Sequence, residues 1–310
     1  MTSTEAPAPQ ARAPLDGLVV GLVGLGAMGS PMARHLLAAG ADVLGHDLDA
    51  GAVRRHVERG GRASGAVSEL AGCDVVVTSL PSAAALMATL AELGPVAQQR
   101  SSVLPVIETS TLSLEEKTSA QRTAATSRIH LVDCPVSGTS AQAELGDLVA
   151  FCSGLEDAVR GPVESVLAAV ARATHDVGTF GNGTRMKLVA NLLVAVHNVA
   201  AAEALLLAER SGLDLEQVID AVGDGAGSSR MLQVRGPLMA RRTYEPATAR
   251  VAIFEKDLRA IHGQAAQVDS PTPLLDVAAS LYDTAARQGR RDQDAACVFA
   301  VLDESTSGPG

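Results

Sequence analysis

Apolar and polar residues follow two different periods along this chain, and the change from one to the other divides it. From Leu18 a mostly branched apolar run, LVVGLV, passes through Gly24, Gly26 and Gly29 into apolar positions at helical spacing that stop at Gly40. A strand, a tight turn and a helix are expected in that order. Residues 41–47 (ADVLGHD) read as a second strand, with further strands at 74–80 (DVVVTSL), 103–108 (VLPVIE) and 129–134 (IHLVDC), separated by helix-length segments. Such alternation predicts an α/β fold, a mostly parallel, doubly wound sheet with ligands at the carboxyl ends of its strands. From about Thr184 the strand signal stops. A long helical segment to Arg210 is followed by LDLEQVIDAVGDG, a loop, and helices through IFEKDLRAIHGQAA, LLDVAASLYDTAARQG and DQDAACVFAVLDE. Residues 188–208 are apolar enough to resemble a membrane span, but Asn191, His197, Asn198 and Glu203 interrupt them, so a buried interdomain helix is expected instead.

Length and charge narrow the function classes. With 310 residues, two domains are expected. They are placed at 17–181, a Rossmann-type dinucleotide-binding domain, and at 182–303, an all-helical domain for substrate and self-association. The Ala- and Pro-rich residues 1–16 and the final 304–310 are expected to be a disordered leader and tail. Basic residues number 25 against 35 acidic, a net charge of −10, which supplies no positive field for nucleic acid or anionic lipid. Aromatic residues make up 2% with no Trp, too few for base-stacking platforms. Cys73, Cys134, Cys152 and Cys297 are scattered without metal-binding spacing, so buried reduced thiols and no metal site are expected. Reduced thiols and the lack of a signal-like n-region and h-region favour the cytoplasm.

Gly24, Gly26 and Gly29 stand in GxGxxG spacing between the expected strand and helix. The first glycine suits a tight turn, the second a close approach of backbone to a pyrophosphate, and the third close packing of helix on strand. Asp47 ends the next strand 21 residues after Gly26. A carboxylate there accepts from ribose hydroxyls and repels a 2′-phosphate, so the expected cofactor is NAD, with NADP less favoured. Arg54 and Arg55 on the following helix pull the other way. Leu80 and Pro81, with Ser82, follow the strand at 74–80, and Thr109 to Thr111 the strand at 103–108; Leu80, Pro81 and Thr111 are candidates to line the cofactor.

Later segments add specificity. GLGAMGSPMA from Gly24 to Ala33, which includes Met28, DCPVSG from Asp133 to Gly138, GNGTRMK from Gly181 to Lys187, and Lys256-Asp257-Leu258 occur in order. Together they resemble the β-hydroxyacid dehydrogenase family, which includes 3-hydroxyisobutyrate dehydrogenase and tartronate semialdehyde reductase. The resemblance implies hydride transfer between NAD(P) and a small anionic 3-hydroxy acid or its semialdehyde. It implies Lys187 as the acid/base, Asn191 beside it, Ser137, Gly138 and Thr139 at the substrate carboxylate, Met28 and Lys256 at the cofactor, and association into a homodimer or homotetramer. Lys187 and Asn191 are four apart and share a helix face. A lysine, with a reference pKa near 10.4, needs desolvation or a neighbouring positive charge to exchange protons near neutrality.

Two positions depart from the family. Ala190 stands where decarboxylating 6-phosphogluconate dehydrogenases usually place His, which argues against that chemistry. Arg230 stands where relatives often show an aromatic residue, and its guanidinium could bind a second anionic group. An imine reductase, a physiological semialdehyde reductase and a non-catalytic NAD-binding scaffold are the alternatives. The presence of Lys187, Asn191 and Ser137 opposes the first and the third.

Overall fold

The structure, a computed structural model, describes residues 15–305. It divides into two compact units, Met1–Lys187 and Leu188–Gly310. In the first, β1 (Val19–Val23), α1 (Gly29–Ala38), β2 (Asp42–His46), α2 (Ala50–Glu58), β3 (Arg62–Ala63), β4 (Val75–Thr78), α3 (Ala83–Ala97), β5 (Leu104–Glu108), α4 (Leu114–Ala125) and β6 (Ile129–Asp133) follow one another. The six strands form one parallel sheet in the order β3-β2-β1-β4-β5-β6. This is the expected doubly wound α/β sheet, and its order reverses between β1 and β4, where ligands of such sheets bind. The strands read as continuous apolar runs because helices cover both faces. Val75 and Val77 pack with Met32 and Leu36 of α1, whereas Val76 between them packs with Leu86 and Leu90 of α3.

A second sheet was not anticipated from the sequence. β7 (Val136–Ser137), β8 (Val149–Cys152) and β9 (Ala173–Asp176) lie in that order, β7 antiparallel and β9 parallel to β8, with α5 (Ser140–Glu144) and α6 (Asp157–Val170) between them in the chain. A two-residue strand inside Pro135-Val136-Ser137-Gly138 has no period to read, and with Thr174, His175 and Asp176 all polar and exposed β9 lacks an apolar alternation.

α7 (Asn182–Arg210) is followed by α8 (Leu215–Gly223), α9 (Arg230–Ala240), α10 (Val251–Gln267), α11 (Pro273–Arg287) and α12 (Val298–Ser305). α7 is long and apolar enough to cross a bilayer, with mean hydropathy 1.6 over its most apolar stretch. Its Ala202 and Leu205 belong to the second unit's core, however, with Tyr282 and Phe299. Asn198, one of the polar interruptions, is buried there and donates to Tyr282 Oη (2.6 Å) and the Ala295 carbonyl (2.9 Å).

The segment after residue 223 was expected as a loop as far as α10, but α9 occupies part of it. Ser229 caps α9 by accepting from the Leu232 N–H, and Leu232, Arg235, Gly236 and Met239 form its buried face. An arginine and a glycine in that face, with Pro237 beside them, hide the apolar stripe. Arg235 is admitted because Asp294 Oδ1 accepts from its Nε at 3.1 Å. The expected leader lies outside the described residues as far as residue 14. Leu15, by contrast, is buried and donates to the Ala39 carbonyl at 2.7 Å. α12 includes Glu304 and Ser305, and the rest of the expected tail lies outside the described residues.

Candidate active site

The glycine loop closes β1 onto α1 by contacts that no other residue would allow. Gly24 has φ +93°, and a Cβ there would meet the Ser79 carbonyl oxygen at 2.2 Å; a Cβ on Gly29 would meet the Gly24 oxygen at 1.8 Å. Gly26 differs, since nothing lies within 4 Å of its would-be Cβ. No packing within the protein requires that glycine, and the clear space above it suits a group that lies flat on the loop. At the start of α1, Met28 provides no side-chain cap and the first turn carries no acid. Amides at such a helix start attract phosphate. Loop and helix start together fit a pyrophosphate.

Asp47 follows β2. Its Oδ2 accepts from the Leu25 N–H of the glycine loop (2.7 Å) and its Oδ1 from the Asp49 N–H (2.8 Å). Asp49, which belongs to no motif in the sequence, caps α2 by accepting from the Gly51 N–H (2.8 Å). That backbone bond, with Arg55 nearby, holds the Asp49 carboxyl below the usual carboxylate range. Two carboxylates therefore flank the turn where a ribose would lie. Arg54 is exposed, and Arg55 points to Asp49 at 3.5 Å.

At the end of β4 the Leu80 N–H donates to Ser110 Oγ (2.9 Å), Pro81 is exposed, and Ser82 caps α3. Beyond β5, Thr109 Oγ1 donates to the Thr78 carbonyl (2.7 Å). Thr109 and Ser110 thus hold adjacent strand ends together, whereas half-buried Thr111 makes no side-chain hydrogen bond among the described residues. Leu80, Pro81, Thr111 and the glycine loop all follow the carboxyl ends of neighbouring strands β1, β4 and β5.

The end of β6 leads through Cys134 and Pro135 to Ser137 and Gly138. Ser137 is half-buried, and its hydroxyl makes no hydrogen bond among the described residues. Gly138 has φ +144°, and a Cβ there would press on Leu148 at 2.6 Å. Thr139 is engaged locally: its hydroxyl caps α5 by accepting from the Gln142 N–H, and its own N–H donates to Gln142 Oε1 (3.0 Å).

The start of α7 is pressed against this region. Gly181 has φ +90°, and a Cβ on Gly183 would meet the Phe151 carbonyl oxygen at 2.3 Å and that of Asp133 at 2.7 Å. Asp133 then caps the helix from outside it. Its Oδ2 accepts from the Thr184 N–H (2.8 Å) and its Oδ1 from Thr184 Oγ1 (2.8 Å), while Ser153 Oγ accepts from the Gly183 N–H (2.9 Å). One turn further along α7 is Lys187, 8% exposed. Asp133 is thus four residues from Ser137 along the chain and bonded to the turn that precedes Lys187. No local pattern gives Asp133 this part, because its partner Thr184 lies 51 residues away.

In the second unit, Asn191 Nδ2 donates to Asp257 Oδ2 at 2.8 Å, which joins α7 to the Lys256-Asp257-Leu258 segment of α10. Lys256 is half-buried beside it. Arg230 is the first residue of α9 and exposed, and the arginine that α9 buries is Arg235.

Residues 19–180 match the model described as the NAD-binding domain of 6-phosphogluconate dehydrogenase. Residues 181–302 match the one described as NAD-binding of NADP-dependent 3-hydroxyisobutyrate dehydrogenase. The chain is 33% identical to an L-threonate dehydrogenase of Cupriavidus necator, over 91% of this chain and 95% of that one. A crystal structure of 3-hydroxyisobutyrate dehydrogenase from Salmonella typhimurium superposes with a TM-score of 0.81 at 31% identity, covering 92% of this chain and 99% of the other. An imine reductase from Pseudomonas sp. shares the fold at TM-score 0.59 and 20% identity, covering 92% and 99%.

Proposed function

The chain belongs to the 3-hydroxyisobutyrate dehydrogenase family of β-hydroxyacid dehydrogenases, and from that premise we propose that it oxidises a small 3-hydroxy acid with NAD, with Lys187 moving the hydroxyl proton. Members of the family transfer hydride between a CH–OH group and a nicotinamide dinucleotide, and this chain is an oxidoreductase of that kind. The bound dinucleotide supplies the hydride acceptor. The chain's own residues bind the acid and handle its proton. In this reading Ser137 and Gly138 hold the carboxylate, and the neutral amine of Lys187 takes the hydroxyl proton as the C–H bond breaks, leaving a carbonyl. In reduction the Lys187 ammonium returns that proton. In the same reading Asn191, which donates to Asp257, is the residue that accompanies the acid/base, and Lys256 is a cofactor residue.

The observation that carries the reading is the buried position of Lys187 one turn after Thr184, on a helix start bonded to the strand end that leads into Ser137. Desolvation of that kind suits a lysine that exchanges protons. Asp47 and Asp49 support NAD over NADP, since a 2′-phosphate would face both carboxylates. The four free, buried cysteines suit a reducing compartment, and we place the protein in the cytoplasm. Val189 (59% exposed) and Leu193 (48%) form an apolar stripe on α7 that supports association into a homo-oligomer.

The test is a panel of 3-hydroxyisobutyrate, L-threonate, glycerate, 3-hydroxypropionate, serine and 4-hydroxybutyrate with NAD and NADP, run beside Lys187→Ala. L-Threonate leads the panel because the 33% relative bears its name. Lys187→Ala is expected to lose about 100-fold or more in kcat on the best acid while binding NAD normally. A near wild-type kcat would end the acid/base assignment.

A further inference from the structure

Beneath the start of α7 lies a group of charges that the reaction does not use. Glu108 at the end of β5, Lys117 in α4 and Asp133 at the end of β6 are each 0% exposed. Lys117 Nζ makes a close ion pair with Glu108 Oε2 and lies 3.1 Å from Asp133 Oδ1. Glu108 Oε1 also accepts from the Ser110 N–H at 2.9 Å. The Asp133 carboxyl also accepts from the Thr184 N–H and hydroxyl and from the Ser153 hydroxyl (3.1 Å), at the positive end of the α7 dipole.

Stability alone is a poor reason for such a group, because well-packed apolar residues in place of a buried ionic cluster often leave a protein as stable or more so. Geometry is a better one. The ammonium of Lys117 is held from two strand ends at once, so it fixes where the Asp133 carboxylate stands. Asp133 in turn fixes both the N–H and the hydroxyl of Thr184, one turn before Lys187. We propose that Lys117 is a positioning residue for hydroxyl oxidation: it acts through Asp133 and Thr184 to set where α7 presents Lys187. The inference rests on the acid/base reading of Lys187.

The test compares Lys117→Met/Glu108→Gln, Thr184→Val and Lys187→Ala with the wild type. The double substitution removes one charge of each sign and keeps the net charge of the group, unlike Lys117→Met alone, which would strand two carboxylates. Measured are Tm, the NAD Kd, KM for the best hydroxy acid, and the single-turnover hydride-transfer rate. The double variant is expected to keep the wild-type NAD Kd and KM while its transfer rate falls about 10- to 100-fold, the size of a displacement near 1 Å at a reacting group. Thr184→Val, which removes one hydroxyl, is expected to lower the same rate in the same selective way and decides the matter if the double variant does not fold. Wild-type transfer in a folded double variant, or in Thr184→Val where the double variant does not fold, beside an inactive Lys187→Ala, overturns this inference alone. Wild-type transfer in Lys187→Ala overturns the acid/base reading and this inference together.

Discussion

Gly26 and Gly29 stand three residues apart and are glycines for opposite reasons. Gly29 has no room for a side chain because the Gly24 carbonyl is in the way, whereas nothing lies within 4 Å of a Cβ placed on Gly26, the space proposed for the dinucleotide. Gly29→Ala should therefore destabilise the protein by about 1–3 kcal/mol, read as a lower midpoint in urea, since rigid backbone must move. Gly26→Ala should unfold at the wild-type midpoint but bind NAD about tenfold more weakly in a fluorescence titration, roughly 1.4 kcal/mol. Equal effects of the two would show that the space above Gly26 is not where the dinucleotide lies. The glycine spacing was legible from local sequence because each turn constraint acts between near neighbours. The hold of Asp47 on Leu25 was not, since it pairs residues on two strand ends.

At the scale of elements, α7 and α9 show where periodicity suffices and where it fails. α7 announces itself by length, but its first turn is capped by Asp133 and Ser153, residues that no local pattern links to it. α9 went unread because Arg235 and Gly236 occupy its buried face, and its cap is an ordinary one. Ser229→Ala should cost about 1 kcal/mol of stability, the usual worth of a serine N-cap, measured by chemical denaturation. No change would mean that packing of Leu232 and Met239 alone holds the helix start.

At the scale of the whole molecule, the buried Arg235–Asp294 pair contributes to the response to acid. Burial opposes the charge on Asp294, but Arg235, the Ala296 and Ala249 amides and Thr248 outweigh it, so its carboxyl lies below the ordinary value of 3.8. A pKa depressed by folding contributes stability that is complete above the unfolded value and is lost as pH falls through the folded one. Stability should therefore decline below about pH 4. Asp294→Asn, which leaves Arg235 buried without its charge partner, should cost about 3–5 kcal/mol at neutral pH in thermal or urea unfolding. Its remaining stability should depend less on pH in the acid range. At the surface, the proposed self-association through Val189 and Leu193 predicts that Val189→Glu/Leu193→Glu has a lower mass by light scattering than the wild type while staying folded by circular dichroism. An unchanged mass would overturn association through that stripe.

The sequence by itself determined the class of fold, the order of strand and helix, and the glycine loop. Apolar period and turn sterics are properties of residues close together in the chain, and they survive any change in distant packing. Tertiary structure alone decided the second sheet, the helix hidden around Arg235, and the outside cap that Asp133 places on the start of α7. Each depends on residues tens of positions apart meeting in one register, and a buried charge such as Lys117 is tolerable only where that register brings Glu108 and Asp133 to it.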